Sequence, residues 1–275
     1  MSCTIHNPVT TMNSASGTFR IATYNIHKCR GLDMKFAPQR IVAVLRELDA
    51  DIVCLQEVVN IADSSTVTWA TEADSAGNVF DQAGQIARAF PGYLSAFGEN
   101  RPFRNGMYGN MTLTRLPLKR WKNFDVSRRG RERRGILETE LAAENGTTFH
   151  VFNVHLGTGH MERRYQGRLL VHGRILTNPE VKGPRLVIGD FNEWTRGLTT
   201  RLLRKRFQTF RPRHAGQFPR TYPGVLPLLS LDHCYYEPPL HLEATHLWRT
   251  RTALVASDHL PLVADFSVDS QASLP

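Results

Sequence analysis

The chain has 275 residues, 41% apolar and 21% charged, enough for one large domain with a dry core, although length alone also allows two. Nothing in it approaches the roughly 18 consecutive apolar residues of a membrane helix, and its start, MSCTIHNPVTTMNSASG, lacks the basic and apolar regions of a secretory signal. The net charge of +9 gathers in RRGRERR at 128–134 and in RLLRKRFQTFRPR at 201–213, where six basic residues meet no acidic one. Such runs either form a solvated face or favour a polyanion: nucleic acid, an anionic phospholipid surface or a phosphorylated small molecule.

Residues 1–18 read as a disordered polar lead-in. FRIATYN (19–25) opens as a strand, Pro38 suits the first turn of a helix, and Ile41, Val44, Leu45 and Leu48 make its apolar face. DIVCLQEV (51–58) is a buried strand ending in polar residues. A helix is predicted over 82–90, stopped by Pro91-Gly92. Strands follow in YGNMTLT, LKRWKNF, GILETEL and TTFHVFNVHL. A helical period over 161–176 places Met161, Tyr165, Leu169, Ile175 and Leu176 on one face. PRLVIGDFN, LLSLDHCYY, LEATHLW and LPLVADF complete the strands, with neither a G-x-G-x-x-G nor a Walker loop. This pattern predicts an α/β protein with strand-rich sheets. The four cysteines form no C-x-x-C pair, and Cys54 lies in an apolar run as a core thiol. That usage predicts a reducing, cytoplasmic setting.

Six apolar runs end in chemistry-bearing residues: Asn25, Glu57, Asn153 with His155, Asp190 with Asn192, Asp232 with His233, and Asp258 with His259. A carboxylate beside a dry strand is costly unless paired or metal-bound. One such end is an ordinary turn or cap; six in one chain point to a site gathered at sheet ends. The set is rich in oxygen and free of cysteine, which suits Mg²⁺, Mn²⁺ or Ca²⁺ rather than structural zinc. Histidine beside acids suits proton transfer near neutral pH.

The order YNIHK, LQEV, NVHLG, GDFN, LDH and SDHLPL resembles the endonuclease/exonuclease/phosphatase superfamily from about Phe19 to Phe266, and NIHKCRGLD and HLGTGHMERRYQ resemble its small bacterial members. The resemblance implies a DNase I-like sandwich of two mixed β-sheets flanked by helices, spanning 19–268 as a single domain with a tail at 269–275. It implies that Glu57 is the central metal ligand, with Asn25 bound directly or through water and Asp258 as a further ligand. It implies one Mg²⁺, with Mn²⁺ or a second ion allowed. Asp190 then orients or deprotonates the attacking water, and Asn192 holds that water or a phosphate oxygen. His259 contacts the phosphate with Asp232 keeping it cationic, and His155 is a second phosphate-contacting imidazole, also cationic. The Trp-Arg pair of the AP-endonuclease G-W-R-[IL]-D block is missing from LLSLDH, which makes DNA repair a poorer reading. His233, Cys29, Asp33 and Arg115 are read as non-catalytic. The expectation is a Mg²⁺-dependent phosphodiesterase acting on nucleic acid, phospholipid or a small diester. The alternatives are a phosphomonoesterase and a non-catalytic polyanion-binding module on the same fold.

Overall fold

The computed structural model describes residues 16–61, 81–103, 106–194, 197–210 and 219–269. Most of the expected lead-in, Cys3, the end of the second basic run (Arg211 and Arg213) and the tail from 270 lie outside the described residues. Strand β1 (Ser16–Asn25) begins within what the sequence suggested was lead-in, because Ser16, Gly17 and Thr18 pair with Asp269, Val268 and Ser267.

The first six-stranded sheet is built around a parallel pair, β1 and β2 (Ile52–Asn60), connected by helix α1 (Pro38–Leu48). Helix α2 (Gln82–Ala89) follows, and Asp81 caps it by accepting from the Gly84 amide at 2.9 Å. Strands β3 (Leu94–Phe103) and β4 (Gly106–Thr114) then extend the sheet beyond β2. On the other side, β12 (Leu262–Asp269) pairs with β1, and β11 (Leu240–Leu247) pairs with β12.

The second sheet repeats the plan. It runs β5 (Leu118–Asp125), β6 (Gly135–Ala142), β7 (Thr148–His155), β8 (Arg185–Asp190), β10 (Asp232–Tyr236) and β9 (Gln208–Thr209), with β7 and β8 parallel and joined through α3 (His160–His172). Two mixed sheets thus face each other, each centred on a βαβ unit.

Between the sheets lie Phe19 and Ile21 of β1, Ile52 and Cys54 of β2, Phe149 and Val151 of β7, and Leu186 and Ile188 of β8. The Phe19 and Phe149 rings stack at 4.7 Å across this layer. The opposite faces of β1 and β2 are covered by α1, through Ile41, Val44, Leu45 and Leu48 as the spacing predicts, and by α5 (Arg251–Ala256). Helices α3 and α4 (Leu198–Leu203) cover β7 and β8. Burial on both faces explains why these strands read as unbroken apolar runs.

Helix α3 departs from expectation. Met161 and Tyr165 are exposed, and the helix instead buries Glu162, Arg163, Gln166 and Gly167 beside Leu170 and Val171. The buried polar side chains are satisfied locally. Gln166 accepts from the Gly157 amide at 2.8 Å, and Arg163 donates to Gly157 O at 3.3 Å and to Thr158 O. Helix α4 runs into the start of what reads as a basic run, and six-residue α5 is too short to show a period. Cys29, Cys54 and Cys234 are free and buried. Among the described residues no helix is long and apolar enough to cross a membrane.

Candidate active site

Alternation along the strands builds the site. In β1, Phe19 and Ile21 face the inner layer, and the same face continues to Thr23 and Asn25. In β7 it runs Phe149, Val151, Asn153, His155; in β8, Leu186, Ile188, Asp190. In antiparallel β10 it starts at Asp232, register partner of Asp190, and continues to Cys234 and Tyr236. Each inner face is apolar along most of its length and turns polar at one shared end of the sandwich.

Strand β2 reaches that end by a different device. Its pairing with β4 shifts between Leu55 and Val58, and Glu57 takes a left-handed φ of 61°. Strict alternation would put Glu57 with Val53 and Leu55, against the helices; the bulge brings its carboxylate to the inner cluster instead. Asn153, from the other sheet and fully buried, donates to the Leu55 and Met111 carbonyls at 3.1 and 3.0 Å and accepts from Gln56 Nε2 at 2.8 Å. Asn153 is therefore a clamp on the bulge rather than a group facing substrate. Asn153→Leu should lower stability by about 3 kcal/mol, because two buried carbonyls lose a donor and Gln56 Nε2 loses one acceptor while keeping Thr23 Oγ1 and Cys54 O. A shift in the urea midpoint at unchanged slope would measure it, and an unshifted midpoint would show that the clamp is dispensable.

Asp190 lies at the middle of the cluster. Its Oδ2 accepts from Asn25 Nδ2 at 3.0 Å and lies 3.7 Å from His155 Nε2 and 3.9 Å from His259 Nε2. Its Oδ1 accepts from the Asn192 amide at 2.8 Å. Burial raises the Asp190 carboxyl, the His259 charge opposes that, and the result is a pKa of about 6. Asn192, at a left-handed φ of 49°, also donates from Nδ2 to Leu156 O at 2.9 Å, which fixes the turn after β8.

His259 Nδ1 and Asp232 Oδ2 are 3.0 Å apart. Burial disfavours a charged His259, but Asp232, in contact, and Asp190 outweigh it and lift the pKa to about 10, so this imidazole is a cation at neutral pH.

His155 behaves differently. Burial, and then Arg134, push it well below its ordinary value. Its Nδ1 is 3.5 Å from Arg134 Nη1, and a guanidinium can only donate, so Nδ1 accepts and the proton resides on Nε2, towards Asp190. The expectation of two cationic imidazoles is corrected here to one, with a guanidinium behind the other. Arg134 itself is only 5% exposed, so the last arginine of the 128–134 run belongs to the site and not to a surface face, whereas Arg129, Arg131 and Arg133 are exposed.

At the mouth, Asn25 Nδ2 lies 3.4 Å from Glu57 Oε1, and Lys28 Nζ contacts Glu57 Oε2 at 2.5 Å. Burial opposes the Glu57 charge, but the positive field of the site, to which the Lys28 ammonium adds by direct contact, holds its carboxyl below the usual carboxylate range. Lys28 belongs to three successive left-handed residues, His27, Lys28 and Cys29, a strained turn that returns the His27 amide to Asn25 Oδ1 at 3.0 Å. Asp258 stands to one side, 3.7 Å from His27 Nδ1, beside Ser257, whose hydroxyl donates to Asn25 O at 2.8 Å.

Seven of the eight expected residues, all but Asp258, therefore form one linked cluster. His27, Lys28 and Tyr222, whose ring lies 5.0 Å from that of His259, were not singled out from the sequence, and Arg134 was read only as part of the basic run. YNIHK held the only signal for the first two. His233 bonds to Tyr235 Oη and Ser230 O, Arg115 pairs with Asp49 and Asp51, Asp33 pairs with Arg40, and Cys29 is a core residue, as their non-catalytic readings require. Among the described residues, no three His, Cys, Asp or Glu side chains form a ready-made metal cluster.

The model of the endonuclease/exonuclease/phosphatase family matches residues 22–259. The uncharacterised protein YbhP of Escherichia coli K12 is 32% identical over 251 residues, covering 90% of this chain and 96% of its own. Among solved structures, an endonuclease/exonuclease/phosphatase protein from Beutenbergia cavernae superposes with a TM-score of 0.69 at 20% identity, covering 92% of this chain and 72% of its own. A mannosyl-6-phosphatase from Bacteroides thetaiotaomicron superposes at 0.67 and 17% identity, covering 90% and 99%.

Proposed function

The chain belongs to the endonuclease/exonuclease/phosphatase family, whose members are phosphoesterases, and from that premise we propose that it is a Mg²⁺-dependent phosphodiesterase that uses water as the nucleophile. The observation that carries the reading is the buried Asp190 carboxylate, held by two asparagines and faced by two imidazole Nε2 atoms, one of them cationic.

In this reading the His259 imidazolium binds a non-bridging phosphoryl oxygen and neutralises charge that grows in the transition state. Asp232 holds that ring in place and keeps it protonated. Asp190, with a pKa of about 6, is mostly ionised at neutral pH and takes a proton from water between itself and phosphorus. His155, neutral with its proton on Nε2, donates a second hydrogen bond without adding charge. Asn25 and Asn192 fix the Asp190 carboxylate.

The residues at the mouth fit a hard divalent ion. Glu57 is an ionised oxygen donor, and the Lys28 ammonium already stands on its carboxylate where a cation's charge belongs; Asn25 turns Nδ2 to Glu57 and keeps Oδ1 on the His27 amide, so it would reach an ion through water. Mg²⁺ is commonly held by one or two carboxylates, with waters and substrate phosphate as its other ligands. Glu57 and Asn25 would hold the ion, with Asp258 as a further ligand, and when bound it supplies Lewis-acid charge to the phosphoryl oxygens and acidifies its own waters.

The test is turnover of bis(p-nitrophenyl) phosphate with Mg²⁺ or Mn²⁺, beside p-nitrophenyl phosphate. Diester turnover that EDTA abolishes and Mg²⁺ restores is the expected result. Turnover of the monoester alone would replace this reading with a phosphomonoesterase, and turnover of neither would leave a binding module.

A further inference from the structure

Seven of the twelve large apolar side chains exposed among the described residues fall on three segments around the mouth of the site. The loop after β1 starts at His27 and Lys28, which contact Asp258 and Glu57, and its far end exposes Leu32, Met34 and Phe36. The loop 222–229 starts at Tyr222, against the His259 ring, and is closed by the Tyr222–Leu229 bridge; its far end exposes Val225, Leu226 and Leu228. Val255, on the helix that leads into Ser257-Asp258-His259, is the seventh.

The segments are joined to one another. The Leu32 amide donates to Val255 O at 3.1 Å, and the Gly224 amide donates to Asp258 O at 2.7 Å. Each loop thus has its base in the polar cluster and an apolar tip in solvent. A grouping of this kind is uncommon on a surface that faces water alone.

The charges among these tips are predominantly positive. Arg30, Lys35, Arg220, Arg249 and Arg251 are exposed. Across 30–36, 219–230 and 248–256 the one acid is Asp33, which Arg40 pairs at 2.9 Å. One carboxylate from outside these segments, Glu47, bonds to Trp248 and Thr250, so the cations remain in excess; apolar tips ringed by such an excess complement an anionic bilayer, whose headgroups attract the arginines and whose acyl boundary takes Leu, Met and Phe. Duplex nucleic acid would use the cations but leaves the aliphatic tips without a partner.

We infer that the loops 30–36 and 222–229, with Val255, form a docking surface for an anionic lipid bilayer, and that the substrate is a phosphate ester in a lipid headgroup presented to the cluster between them. The substrate half of this inference rests on the phosphodiesterase reading; the docking half does not. Hydrolysis there adds water across one P–O ester bond: the hydroxyl goes to phosphorus and the proton to the departing alcohol oxygen.

The test is sedimentation of the full chain with vesicles of equal parts phosphatidylglycerol and phosphatidylcholine, and with phosphatidylcholine alone, beside turnover of bis(p-nitrophenyl) phosphate. The wild-type chain should sediment with the anionic vesicles and much less with the neutral ones. Met34→Ser combined with Leu226→Ser should weaken that binding by about thirtyfold or more, since two side chains lose their apolar burial, with the melting temperature and soluble-diester turnover unchanged. Arg220→Ser combined with Arg251→Ser gives an independent arm and should weaken binding to the anionic vesicles only. The inference is overturned if the wild-type chain ignores anionic vesicles, if both double variants bind as well as wild type, or if Met34→Ser with Leu226→Ser weakens duplex-DNA binding by the same factor. Vesicle binding without diester turnover would sink the phosphodiesterase reading and leave the docking surface standing; the reverse result would do the opposite.

Discussion

Glu57→Gln is expected to lower turnover of bis(p-nitrophenyl) phosphate roughly a thousandfold or more at any Mg²⁺ concentration that saturates the wild-type chain. The substitution keeps length, shape and the left-handed backbone at this position, and changes only charge. The change is a full unit, because a carboxyl held below the usual carboxylate range is ionised at neutral pH. The fold should tolerate it. The pair with Lys28 is partly open to solvent, with side chains 32% and 17% exposed, so its loss should cost no more than about 1 kcal/mol. Turnover near the wild-type level at saturating Mg²⁺ would show that the carboxylate does not hold the ion.

His259→Ala should cost roughly a thousandfold in turnover, and Asp232→Asn clearly less, about ten- to a hundredfold. The two residues touch, and in the proposed mechanism only His259 reaches a phosphoryl oxygen, while Asp232 orients the ring and holds its proton. The pH profile separates these roles. A group that must be protonated loses its contribution as pH rises through its pKa, which is about 10 for His259 in the wild-type chain. Asp232 is the largest influence raising that value, so Asp232→Asn should move the alkaline fall in activity to lower pH while leaving residual turnover below it. If Asp232→Asn is the more damaging change in a folded protein, or if the alkaline limb stays in place, then the acid does more than position the imidazole.

Much of this site is legible in the sequence because strand alternation is a rigid rule. Runs such as HVFNVHL and LVIGDFN name their inner residues directly, and His155 and Asp190 lie where a period of two puts them. Glu57 shows the limit. Alternation assigns it to the helix-covered face, and only a bulge, clamped by an asparagine about a hundred residues later in the chain, returns it to the cluster. No local pattern in LQEV carries that information; the motif named the residue without explaining its direction. Arg134 is the opposite case. Its neighbours made it look like part of a solvated patch, and the tertiary fold turned it inward against His155, because burial is decided by which strand follows and not by the composition of the run. Helix α3 misled for a related reason: apolar spacing marked Met161 and Tyr165 for the core, while the fold gave that place to polar residues able to bond the backbone of the loop before it.

The chain order of the two sheets has a consequence for synthesis on the ribosome. All six strands of the second sheet fall within one continuous stretch, 118–236, whereas the first sheet takes β1 to β4 from before it and β11 and β12 from after it. Strand β1 is made before the other described strands, yet its partner β12 is made after them, and until then β1 offers a bare hydrogen-bonding edge beside a dry face. A nascent or prematurely terminated chain that stops before Leu262 therefore carries a sticky border from the synthesis of β1 onward. Loss of β12 should send the product into aggregates or to proteases rather than leave a slightly loosened fold.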